Sequence, residues 1–193
     1  EYCEVVQLPG SPADTYYVNQ LEVGMTAYSH HLIVAAAVVN SETESNLKVG
    51  ARKNCIGPDA WGGEMYGVTG AQQPYHLETF PAGVGKVFYG GQLLVFDYHY
   101  LNTSSEAVQA RGAVNFHTVA ASEVVTVSRD FGMYNLGIKI PPNATKSFTK
   151  ECTFSHDVMV HKLTRHTHRW GTDFAVGFAG GAHDGEHIWT SDN

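Results

Sequence analysis

The chain is a succession of strand-length apolar runs separated by turn chemistry, and no other feature constrains its fold as tightly. Thr15–Val23 is rich in Tyr and Val, and His30–Val39 is a nearly continuous apolar, β-branched run. The second pattern is that of a strand covered on both faces. Gln92–Leu101, Gly112–Ala120, Glu123–Ser128, Asn135–Ile140, Ser147–Phe154, Val158–His168, Asp173–Phe178 and Glu186–Thr190 complete the series. Between them stand Pro9-Gly10-Ser11-Pro12, Gly62-Gly63, Pro81-Ala82-Gly83, Gly90-Gly91, Pro141-Pro142-Asn143 and Gly180-Gly181, residues that set turn dihedrals. No stretch carries a sustained helical stripe with caps. The spacing predicts an all-β chain built as an antiparallel β-sandwich.

With 193 residues, 43% of them hydrophobic, the chain can bury a core and is not disordered. Its longest clean apolar run, Leu32–Val39, is strand-sized, so no membrane span is expected. The balance of 12 Lys+Arg against 19 Asp+Glu, net −7, with no basic cluster, argues against nucleic-acid binding. Nucleophile-elbow, P-loop and dinucleotide-binding motifs are absent, which leaves serine-hydrolase, kinase and dehydrogenase chemistry without a foothold.

A domain boundary is expected near 121–129. Residues 1–122 would form one sandwich and 123–193 part of a second, since a whole sandwich usually takes roughly 100 residues. Ser41–Gln73 is Gly-rich and irregular and contains Cys55 and Trp61; so long a loop is usually functional or pinned by a crosslink. The three cysteines, Cys3, Cys55 and Cys152, have no CxxC spacing. They leave two alternatives: one disulfide with one buried thiol, or a cysteine whose partner lies outside this chain. The chain begins at Glu1 without a signal peptide, as a mature exported protein would. It stops at Asn193 just after an aromatic, strand-like stretch, and is expected to be incomplete there.

Eleven histidines are the first functional clue, because neutral imidazole is the commonest protein metal ligand. His30-His31 opens an apolar strand, where neighbouring side chains point to opposite faces. Both bind one ion only at a strand end or a bulge. His99 lies near the end of Gln92–Leu101, between Tyr98 and Tyr100, which read as core-filling aromatics. His166-Thr167-His168 puts two rings on one strand face if the strand is regular, a moderately specific metal signal. His161 has the opposite parity, and His156 lies far along the same run. His76, His117, His183 and His187 have no local partner and read as surface or core residues.

Taken together, the motifs resemble those of the copper type II, ascorbate-dependent monooxygenases, the family of peptidylglycine α-hydroxylating monooxygenase and dopamine β-monooxygenase. The resemblance runs in order from Thr15-Tyr16-Tyr17 and Ser29-His30-His31-Leu32 to Phe80-Pro81-Ala82-Gly83-Val84-Gly85 and Asp97-Tyr98-His99-Tyr100-Leu101-Asn102. It continues through Gly132-Met133-Tyr134, Ile140-Pro141-Pro142, Cys152 and His166-Thr167-His168-Arg169-Trp170-Gly171. Each motif is short; it is their order that carries the resemblance.

The resemblance implies two antiparallel sandwiches, each holding one copper ion, so up to two coppers per chain. His30, His31 and His99 match the ligands of the electron-transfer copper. His166 and His168 match two ligands of the catalytic copper, where oxygen binds and substrate is hydroxylated. The family's third ligand there is a downstream methionine. Met25, Met65, Met133 and Met159 all precede His166, so that ligand, and the downstream partner of Cys152, would fall beyond Asn193. His183 or His187 is the substitute within the chain. The implied reaction is hydroxylation of a C–H bond of a small-molecule or peptide substrate, with O2 as oxidant and ascorbate as one-electron reductant. The alternative is a non-catalytic exported copper-binding protein on the same scaffold. Three imidazoles without sulfur suit copper in both oxidation states. Secretion is expected, since disulfides belong outside the cytosol. Asn102-Thr-Ser104 and Asn143-Ala-Thr145 fit the N-glycosylation pattern.

Overall fold

The computed structural model describes residues 1–38, 47–57, 61, 64–133, 135, 137–165, 167 and 170–192. The chain is all-β, with antiparallel pairing dominant, and it divides into two compact units, Glu1–Gly132 and Met133–Asn193. No helix among the described residues is long and apolar enough to cross a membrane.

The first unit packs two sheets face to face. One contains β1 (Tyr2–Gln7), β3 (Ser29–Ala37), β4 (Arg52–Asn54), β5 (Met65–Ala71) and β8 (Leu93–Tyr100), in the order β4-β1-β8-β3-β5. The other is centred on β2 (Thr15–Met25). Along one edge β2 pairs with β9 (Gly112–Val119); its other partners are β7 (Val84–Tyr89), against its N-terminal half, and β6 (Tyr75–Thr79), against its C-terminal half. The two-residue β10 (Thr126–Val127) pairs in parallel with β7, so the chain stays attached to this unit past residue 123. Asp130 does likewise, closing on the buried Lys86 at 2.5 Å.

The core between the sheets follows from alternation. Leu32, Val34 and Ala36 of β3 and Leu94 and Phe96 of β8 face Val18, Leu21 and Val23 of β2 and Phe88 of β7. Burying each large side chain of this set contributes about 1.5–3 kcal/mol. The opposite face of the β3-containing sheet is also covered along part of its length. Cys3, Val5, Ala37 and Val95 pack there against Leu47, Cys55 and Trp61. This second cluster accounts for the apolar character of the C-terminal end of β3 at Ala37, whereas Ile33, further toward its start, is exposed. The Cys3–Cys55 disulfide ties the covering segment to β1.

Some local expectations change. The region 41–73 holds two strands, β4 and β5, and β1, β6 and β7 are further strands that the apolar runs did not mark. In the second unit the strands expected over Asn135–Ile140, Ser147–Phe154 and Val158–His168 are not found: among the described residues no strand lies between Val127 and Asp173. Ile138, Ile140, Phe148, Val158 and Val160 are exposed. Alternation favours a strand only where a neighbour completes the ladder and a core covers one face, and no described residue of 133–165 is buried. What the second unit does form is a hairpin of β11 (Asp173–Gly177) and β12 (His187–Asp192). Cys152, lying in the strand-free stretch, is an exposed free thiol and not a buried one.

Candidate metal centre

The β3–β8 ladder pairs Ser29 with Tyr100, then His31 with His99, so the register slips and His30 is the extra residue. This is a β-bulge, in which two residues oppose one and the local twist re-aims a side chain. It answers the problem posed by adjacent histidines. Regular pleating would send His30 and His31 to opposite faces; the bulge brings both rings to the face that carries His99. The turn before it is strained into place: Tyr28 has φ +66, a left-handed conformation uncommon for a bulky residue. The Tyr28 carbonyl accepts a hydrogen bond from the Leu101 N–H at 2.8 Å, which anchors the turn to the end of β8.

The three rings form a tight cluster. Ring centroids are 5.2 Å apart for His30 and His31, and 4.9 Å for His99 with each of the other two. One nitrogen of each residue lies within 4.8 Å of the other two. His31 Nε2 and His99 Nδ1 are buried and have no hydrogen-bond partner. A buried, unsatisfied ring nitrogen costs about 1–3 kcal/mol, and a metal ion is one partner that satisfies two at once. The donor set therefore fits a metal that takes imidazole.

Carboxylates flank the cluster. Glu1 continues β1 across from His99, because β1 pairs Tyr2 with Tyr98 and Cys3 with Asp97. Glu1 Oε2 lies 3.5 Å from His99 Nδ1, and Glu1 Oε1 lies 4.0 Å from His31 Nε2. Asp97, fully buried, places Oδ2 3.9 Å from His31 Nε2. Burial pushes the His99 pKa below the ordinary imidazole value; Glu1 opposes the shift and the neighbouring His31 and His30 add to it. The neutral form that ligates is thus favoured at His99.

Tyr98 and Tyr100 point to the other face of β8. They stack 6.0 Å apart with each other; Tyr2 stacks on Tyr98 at 5.2 Å and meets Tyr100 tilted, at 6.0 Å. Tyr98 also packs on the inter-sheet core, as a core-filling aromatic does. His166 and His168 lie outside the described residues. His183 is exposed and pairs with Glu186 at 3.0 Å; His117 pairs with Glu22 at 2.9 Å on the surface of the β2 sheet. The sequence reading missed Glu1 and Asp97. Asp97 was legible as a charged residue inside an apolar strand run, but the position of Glu1 depended on recognising β1. Comparison with family models, with curated proteins and with solved structures found no match to this chain.

Proposed function

We propose that the chain is a copper-dependent, monooxygenase-like protein in which His30, His31 and His99 hold the electron-transfer copper. The observation that carries this reading is the bulge-assembled trio of imidazoles with two buried, partnerless nitrogens. The ordered motif resemblance selects copper from among the imidazole-binding metals. When bound, copper would supply one-electron storage at this position.

The protein's own contribution is positional and electrostatic. The β3–β8 ladder fixes His31 opposite His99, and the bulge adds His30. Burial keeps His99 neutral, so its lone pair is available near neutral pH. The disulfide holds Cys55 and the segment around it over the neighbouring face of the sheet, excluding water from that flank. His166 and His168 are the proposed ligands of a second, catalytic copper, where O2 and a C–H substrate would react with electrons from ascorbate. The Cys3–Cys55 bond supports an exported setting.

The test is ascorbate-driven oxygen uptake by the copper-loaded natural full-length protein, with product analysis on peptide and small-molecule substrates. Hydroxylation coupled to uptake supports the enzyme. Copper binding without turnover assigns the chain to the non-catalytic copper binders, and absence of copper overturns both.

A further inference from the structure

The nitrogens left without hydrogen bonds, His31 Nε2 and His99 Nδ1, are the two that face the carboxylate of Glu1. The separations, 4.0 and 3.5 Å, are too long for good hydrogen bonds. They suit a different arrangement: donors each about 2.0–2.2 Å from a shared ion sit roughly 3–4 Å from one another. The Glu1 side chain is 18% exposed, and its Oε1 accepts the Gly57 N–H at 3.2 Å. The carboxylate is thereby held toward the cluster by the segment that the disulfide anchors.

We infer that Glu1 supplies a fourth, oxygen donor to the ion held by His30, His31 and His99, making a three-nitrogen, one-oxygen centre that favours the divalent over the monovalent metal. The inference rests on the reading of the histidine trio as a metal site. A carboxylate is a hard, anionic donor, and its attraction to the ion grows with the ion's charge. It therefore stabilises Cu(II) more than Cu(I), whereas three imidazoles alone serve both. Asp97 is the competing oxygen. Its Oδ2 lies 3.9 Å from His31 Nε2, is itself buried without a hydrogen bond, and belongs with Glu1 and His31 to a second set of close donor atoms, but it stands two rows further from the bulge, opposite Cys3 and Ile33. Glu1 lies in the row of the histidine pair and turns one oxygen toward His31 and the other toward His99.

The experiment uses the natural full-length protein, its Glu1→Ala variant and its Asp97→Asn variant. Dissociation constants for Cu(II) and Cu(I) are measured by chelator competition, with electron paramagnetic resonance of the Cu(II) forms. Thermal melts of the metal-free proteins check that each variant folds. Glu1→Ala is expected to weaken Cu(II) by at least roughly tenfold, the lower end of what loss of even an outer partner costs. It should also change the parallel copper hyperfine splitting and leave Cu(I) affinity within about threefold. A Glu1→Ala protein that binds Cu(II) with unchanged affinity and spectrum overturns the Glu1 assignment while leaving the histidine site standing. The same is true if Asp97→Asn alone shifts the spectrum. A parent protein that binds no copper overturns the histidine site itself.

Discussion

His31 stands directly across the β3–β8 ladder from His99, their ring centroids 4.9 Å apart and their planes at 86°. One residue earlier the ladder slips, and the slip is His30. The cluster is therefore a product of backbone register as much as of side-chain identity. Deleting His30 should restore a regular ladder and keep His31 opposite His99. Its cost in stability should stay within about 1 kcal/mol, the ordinary size of a single change. Copper affinity should fall as steeply as in His30→Ala, which keeps the bulge. Denaturant unfolding together with copper competition reads both. A deletion variant that binds copper like the parent would show that the bulge has no part in the site.

The depressed pKa of His99 predicts how stability varies with pH. The unfolded chain takes up a proton at His99 near the ordinary imidazole value of about 6.5, whereas the folded chain does so only at lower pH. Below that value the unfolded state binds more protons. The contribution of His99 is thus present above it and is lost as pH falls toward the folded pKa. Melting of the metal-free protein from pH 8 to pH 5 should show this decline, and His99→Asn should flatten it.

The tyrosine stack titrates in the opposite sense. Burial pushes Tyr98 up to about 12, with further contributions from Glu4 and Tyr2, and burial raises Tyr100 as well. The folded state keeps these protons while the unfolded state loses them near the ordinary phenol value of about 10. Stability should therefore fall as pH rises from there toward 12. Tyrosinate absorbance should show a late-titrating class that merges with the rest on unfolding. Tyr98→Phe should remove part of that class.

Opening the Cys3–Cys55 crosslink, which spans 52 residues of sequence, should cost about 4 kcal/mol on the loop-entropy model. The paired Cys3→Ala/Cys55→Ala variant should also lose protection of the amides of β4 in hydrogen exchange, while the amides of β2 keep theirs. Uniform loss of protection across β2 and β4 would mean that the disulfide supports the whole sandwich and not the covering segment alone.

Much of the strand content was legible because Leu32, Val34 and Ala36 alternate with a second buried face, and turn residues bracket each run. Strands β1 and β7 escaped notice because Glu4 and Lys86 interrupt their apolar pattern. Lys86 is buried by a compensation that no local pattern reveals: it bonds the Val68 carbonyl at 2.7 Å and Asp130 at 2.5 Å. The runs at Ser147–Phe154 and Val158–His168 misled for the converse reason, since their alternation has no partner strand in the described structure. The histidine trio was legible as residue types. That His30 and His31 reach one side only at a strand end or a bulge was legible too; that it is a bulge was not, because a bulge depends on the register of β3 against β8, which neither segment encodes alone.

The central claim is tested most directly by copper content. The full-length protein and a His30→Ala/His31→Ala/His99→Ala variant would be loaded with copper, desalted and analysed for metal. The account predicts that the variant retains one equivalent fewer than the parent while keeping its β-rich circular dichroism. Equal copper in the two folded proteins would contradict it.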